Sequence, residues 1–351
     1  MDESKGDLVS SPSSEHILPY AVRQPEIQYA PHGQWATAQH LDRLADDLDR
    51  NSIAINTRRS YVSDWSSWLA FCERHRINPL PAEPADVRRY LTQLGAVGGR
   101  KGAKVKPRTA QRHLASIAAA HRAAGLEFDT QHPILRRTMN GILRTYGARQ
   151  EGARALRAED IAAICQTFSL DLRCVRNKAI ILLGFAGGFR RSEIVALNVS
   201  DLAFEDKVLR VTLRRSKTDQ EGEGRTIVIM PGEKPETCAV AAVLAWLTAA
   251  KLEHEGDNAA FRPVSRSGVE YSRLSDKTIN RIVQSACRAA HLKESYSAHS
   301  LRAGHVTEAL AGGADRAAIK RQTGHRSDAM LDRYARETNL AANNSSAALG
   351  L

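Results

Sequence analysis

Seven residues, far apart in the chain, carry the chemistry of one reaction class. They are Arg190 and Glu193 in GFRRSE, Lys217 in RRSKTD, His299 and Arg302 in HSLR, His325 in TGH, and Tyr334 nine positions later. Two arginines, a lysine, two histidines, a carboxylate and a tyrosine are the components of phosphoryl transfer without a metal. Guanidiniums hold phosphate oxygens, imidazole and ammonium move protons, and a phenol becomes a nucleophile once cations steady its charge and a base takes its proton.

Each signal alone has a plainer reading. Arg190 and Glu193, three apart on a helix beginning after Gly187 and Gly188, also fit a surface ion pair. Lysines on hairpin turns such as SKTDQ are mostly solvated. A histidine on a helix is more often a satisfied core residue, and His305 competes with His299 for any role assigned from spacing. Tyrosines in the middle of a helix usually pack. It is the set and its order that are specific.

The elements that must position these groups follow from periodicity. Residues 1–37 are rich in Ser, Pro, Gln and Glu without a period, and predict a mobile tail. A helical unit is expected over 38–148, from LDRLADDL through the stripe of Tyr61, Trp65, Trp68, Leu69 and Cys72, then PADVRRYLTQL, AQRHLASIAAAHRAA and a last helix near HPILRRTMNGILRTYG. A polar linker, 149–156, leads to a mixed, mostly helical unit over 157–340 and a short tail, 341–351. In the second unit VLRVTLRR and RTIVIM predict a two-stranded antiparallel ribbon closed by SKTDQEGEG. The fold class is therefore mainly α, or α+β, with a small antiparallel sheet.

The formal charge is +11, and it cannot come from residues 1–37, where acidic residues outnumber Lys5 and Arg23. The folded part favours a polyanionic partner, nucleic acid first. Lys101, Lys104, Lys106, Arg108 and Arg112 crowd the Gly-rich loop and the helix after it. Lys277, Arg281, Gln284 and Arg288 line the polar face of a helix whose other face is Ile279, Ile282, Val283 and Ala286. A helix of that kind suits a major groove, although a solvated face looks the same. The five cysteines are scattered without a CxxC pair, which reads as buried thiols in a reducing compartment and no zinc site. No apolar run is long enough to cross a bilayer.

Arg, Lys, His-x-x-Arg, Gly-His and Tyr in this order resemble the signature of the tyrosine recombinases, or phage integrase family. The stretch LPAEPADVRRYLTQL, the basic loop and the helix after it are similar to the core-binding domain of its Cre-like members. The resemblance covers roughly residues 40–340. It implies an all-helical, SAM-like core-binding domain and a catalytic domain that together clamp a duplex. It also implies a mechanism in which Tyr334 attacks a DNA phosphodiester, forming a 3′-phosphotyrosine and releasing a 5′-hydroxyl. Arg190, Arg302 and His325 would hold the non-bridging oxygens, Lys217 would protonate the leaving oxygen, His299 would handle the tyrosine proton and Glu193 would orient the arginine. Bond energy is kept in the covalent link, so neither cofactor nor metal is implied.

The implied partners are double-stranded DNA with inverted-repeat half-sites and further copies of the chain, a dimer on each site and a tetramer in synapsis. The class also admits an accessory or directionality protein. The C-terminal tail would pack on a neighbouring protomer. The setting would be the cytoplasm of a bacterium or of a phage's host, at the nucleoid. Integration or excision of a mobile element and resolution of DNA dimers are equally compatible. Two other classes stay open: a DNA-binding regulator or accessory subunit that keeps the fold without cleaving, and a type IB topoisomerase.

Overall fold

The computed structural model describes residues 37–51, 53–99, 102–147, 153–214, 224–293 and 295–338. The expectations for the N-terminal tail up to residue 36, for Lys101, for Lys217 and for the C-terminal segment from residue 339 lie outside them. The chain divides into two compact units, Met1–Gln150 and Glu151–Leu351.

Five α-helices, with a π-helical segment at Gln93–Val97, make the described part of the first unit: α1 (Ala38–Asn51), α2 (Ile55–His75), α3 (Pro84–Thr92), α4 (Pro107–Ala123) and α5 (Pro133–Tyr146). Three of them open on proline, which lacks only an N–H that the first turn leaves unused. The α2 stripe of Trp65, Trp68 and Cys72 is buried with Tyr90 and Leu91 of α3, Ile117 of α4 and Leu135 and Ile142 of α5. One polar network lies in this core. Buried Asp64 accepts from Arg112 Nε at 2.7 Å and Nη2 at 3.0 Å, and lies 3.3 Å from His113 Nε2. Tyr90 Oη is 2.9 Å from His113 Nδ1.

The second unit begins with α6 (Ala158–Gln166) and the apolar α7 (Leu172–Ala186), followed by the short α8 (Arg191–Ala196). The Arg157 N–H donates to Asp160 at 2.8 Å, closing the first turn of α6. The sheet has three strands rather than two. β1 (Leu202–Glu205), β2 (Val208–Leu213) and β3 (Arg225–Ile229) pair antiparallel in that order. β2 and β3 alternate cleanly, burying Leu209, Val211, Leu213, Ile227 and Ile229. β1 buries only Leu202, so its sequence carries no alternation to read. It joins β2 through Asp206 and Lys207, both at positive φ, as a tight two-residue hairpin turn demands.

Next come α9 (Ala239–Ala250), a second small pair β4 (Val264–Ser265) and β5 (Gly268–Val269), and α10 (Asp276–Ala289). The unit ends with α11 (Ala298–Ala311), α12 (Arg316–Thr323) and α13 (Asp328–Thr338). α7 lies at the centre, with Ala179 to Leu183 all buried among residues of the sheet, α9 and α10. A separate small cluster of Val306, Ile319 and Leu331 joins the last three helices, and Tyr334 packs against it.

Candidate active site

The site is built where α7 ends. Its chain turns at Gly187 and Gly188, the latter at φ +60 with His305 and Thr323 atoms 2.9 Å from where a Cβ would stand. Buried Phe189 then sets Arg190 just before α8, in an extended conformation rather than inside the helix. The Arg190 N–H donates to Glu193 Oε2 at 2.8 Å, and its Nη1 donates to Oε1 at 2.6 Å. One carboxylate thus holds both the backbone and the guanidinium of Arg190. A surface ion pair is ruled out by burial, since Glu193 is 2% exposed and the Arg190 side chain 16%.

α11 supplies the second guanidinium. Ser297 is its N-cap, and the Ser297 N–H donates to Ser300 Oγ at 3.1 Å. Arg302, 1% exposed, donates from Nη1 to the Gly188 carbonyl at 2.7 Å and from Nη2 to His325 Nε2 at 3.1 Å. Burial, then the Arg190 charge, push its pKa down to about 9, which leaves it cationic at neutral pH.

The tautomer of His325 follows from its neighbour. Thr323 Oγ1 donates its one hydrogen to the Ile319 carbonyl at 2.6 Å, so toward His325 Nδ1, 2.7 Å away, it can only accept. Nδ1 therefore carries the proton, and Nε2 is free to accept from Arg302. Burial, followed by the charges of Arg302 and Arg190, lowers the His325 pKa to about 3 and keeps the ring neutral. With both ring nitrogens engaged, His325 holds Arg302 in this state. The expected contact with a phosphate oxygen requires one of these bonds to be exchanged.

Tyr334 comes from α13, whose Leu331 is fully buried one turn earlier. Its hydroxyl lies 3.3 Å from His299 Nε2, and its ring centroid is 6.1 Å from that of His325. Loss of hydration, then Arg302 and Arg190, lower the His299 pKa. The two histidines of α11 have different partners. His305 Nδ1 donates instead to the Phe185 carbonyl at the end of α7, at 2.9 Å, and burial lowers its pKa to about 4.

The structure therefore brings together Arg190, Glu193, His299, Arg302, His325 and Tyr334. Sequence reasoning missed Thr323, which fixes the His325 tautomer, and Arg225, at the start of β3. The signal for Arg225 was available: in RTIVI it is in phase with the inward-facing Ile227 and Ile229.

Of the residues expected to touch nucleic acid, Lys104, Lys106 and Arg108 are exposed, and Lys104 Nζ lies 5.0 Å from the centre of the Tyr146 ring. Arg112 is exposed but tied to Asp64. On α10, Lys277, Arg281 and Arg288 are exposed and Gln284 partly so, while Ile279, Ile282, Val283 and Ala286 are buried. No helix among the described residues is long and apolar enough to cross a membrane.

A phenol set against an imidazole, beside two guanidiniums held by a buried carboxylate and a second histidine, is an arrangement able to carry out phosphoryl transfer without a metal. The chain belongs to the phage integrase family: residues 154–340 match the model of that family. It is 34% identical over 320 residues to an integrase/recombinase xerD homolog of Selenomonas ruminantium, covering 88% of this chain and 90% of that protein. It is 26% identical over 265 residues to the recombinase Cre of Escherichia phage P1, covering 73% and 74%. Among solved structures, the XerH site-specific recombinase bound to palindromic difH substrate superposes with a TM-score of 0.61 at 12% identity, over 88% of this chain and 84% of that one, which is a likeness of fold.

Proposed function

We propose that this chain cleaves and rejoins DNA at specific sites through a 3′-phosphotyrosine on Tyr334. The observation that carries the reading is the Tyr334 hydroxyl 3.3 Å from His299 Nε2 of the same chain, beside the Arg190 and Arg302 guanidiniums. The tautomer of His299 with its proton on Nδ1 leaves Nε2 to accept the phenolic proton as the oxygen attacks phosphorus. As the P–O3′ linkage is kept and the P–O5′ bond breaks, charge gathers on the non-bridging oxygens, where Arg190 and Arg302 stabilise it. Glu193 and His325 keep those two guanidiniums in place beforehand, so little reorganisation is left for the moment of reaction. Lys217 is the proposed proton donor to the leaving 5′-oxygen. Attack by the 5′-hydroxyl of a partner strand reverses the step, so the phosphodiester energy is conserved.

The XerH recombinase named above is bound to a DNA substrate, which supports DNA as the partner. The finer reading is a dimer across inverted-repeat half-sites, a tetramer in synapsis and an accessory protein that sets direction, in the cytoplasm. Phosphate contacts are proposed for Lys101, Lys104, Lys106 and Arg108, and groove contacts for Lys277, Arg281, Gln284 and Arg288. The residual donors of Arg112 join the former once Asp64 is satisfied. The test is to express the wild type and Tyr334→Phe in the source cells, purify each under denaturing conditions and sequence the DNA that stays attached. DNA on the wild type alone supports the reading and reports the site. DNA on neither, with native DNA binding intact, moves the protein to the regulatory class.

A further inference from the structure

We propose that Arg225 is a positioning residue of this centre, joining the sheet to both the Arg190–Glu193 pair and the turn that carries His325. The inference rests on the reading just given, and adds a group that the catalytic set does not contain. Glu193 Oε1, which accepts from Arg190, lies 3.5 Å from Arg225 Nη2, so one buried carboxylate faces two guanidiniums. On its other side Arg225 lies against Gly324, where a Cβ would stand 2.0 Å from Arg225 Nη1. Gly324 ends α12 at φ +67, and its carbonyl faces Arg190 Nη2 at 3.5 Å. Any other residue at 324 would meet both the cost of a left-handed conformation and the guanidinium.

Arg225 is also anchored from behind. It opens β3 opposite Leu213 of β2, and shares the inward face with Ile227 and Ile229. An arginine on that face, its three guanidinium nitrogens shielded from solvent, is placed to act through Glu193 and Gly324 rather than on a phosphate directly. With it, Arg190, Arg302 and Glu193 leave two positive charges at the centre, set against the negative charge that gathers on the non-bridging oxygens in the transition state. Arg225 is among the charges that hold down the pKa values of Arg302 and His325.

The test uses the full chain with Arg225→Met, which keeps length without charge, and Arg225→Lys, which keeps charge without the planar fork. The DNA probe is a duplex carrying the sequence recovered on the wild type, nicked a few nucleotides beyond the cleavage point so that the short piece carrying the new 5′-hydroxyl diffuses away once released. We expect Arg225→Met to bind this duplex as the wild type does but to form the covalent complex about 100-fold more slowly, the scale of a small misplacement of reacting groups. Arg225→Lys recovers most of that rate. In histidine-labelled protein without DNA, the ring nitrogen shifts show His325 with a protonated Nδ1 and an accepting Nε2. The Met variant loses this signature and the Lys variant keeps it.

A Met variant that cleaves at the wild-type rate overturns the proposal. So does one whose loss follows its thermal stability and DNA affinity, with an unchanged His325 signature and no recovery by lysine. If the wild type itself retains no DNA, the recombinase reading fails, while the His325 signature still decides for or against Arg225.

Discussion

At the scale of single residues, the centre is a set of groups whose protonation states are decided before substrate arrives. The proposed base, His299, can take a proton only while neutral, and its surroundings lower its pKa. The acid limb of single-turnover cleavage is therefore expected below the ordinary imidazole value of about 6.5, activity being full above it and lost as pH falls. A limb centred above that value contradicts the assignment. His299→Gln should slow cleavage by about 10² to 10⁴-fold and leave DNA binding intact, measured as covalent complex against gel-shift affinity. Motif order singled out His299, Arg302, His325 and Tyr334, and the fold brings these four together. Spacing could not separate His299 from His305, since both lie on α11 and only their partners, Tyr334 and the Phe185 carbonyl, differ. Nor could it expose Thr323, whose part depends on a hydroxyl having a single hydrogen already committed to Ile319.

At the scale of elements, α13 carries Tyr334, the proposed nucleophile, and packs through the small cluster of Val306, Ile319 and Leu331. Leu331 is its buried anchor against Val306 and Ile319, one turn before Tyr334. Leu331→Ala should cost about 2 to 5 kcal/mol of local packing and detach the helix. The expected result is faster amide exchange confined to α13 and slower cleavage with unchanged DNA affinity. Global destabilisation without that local signature contradicts it. α11 depends on a close approach instead: a Cβ at Gly304 would stand 2.0 Å from the Leu156 carbonyl. Gly304→Val should therefore overpack this contact and lower the melting temperature. The helices were legible in the sequence because their apolar stripes have one period over several turns, as in Trp65, Trp68 and Cys72. β1 was not, because a strand that buries one residue in four shows no alternation.

At the scale of the whole molecule, the buried histidines make stability depend on pH. His325, His305, His113 and His121 all have lowered pKa values, chiefly through burial. The unfolded chain thus takes up more protons than the folded one as pH falls below about 6.5, and stability, complete above that value, declines toward pH 4. Chemical denaturation at pH 7 and pH 5 checks this, and equal stabilities would contradict it. The charge of +11 points to salt-dependent binding of DNA, and replacing the exposed Lys106, one of the proposed phosphate contacts, by alanine should reduce the slope of log affinity against log salt by about 1.

The central claim is that Tyr334 itself becomes bonded to DNA. The most direct measurement is mass spectrometry of protein trapped on DNA, after protease and nuclease digestion, reading which residue carries a nucleotide and through which oxygen. The account predicts a nucleotide joined by its 3′-phosphate to Tyr334. An adduct on another residue, a 5′ linkage, or an unmodified Tyr334 in protein that has cleaved its DNA would contradict it.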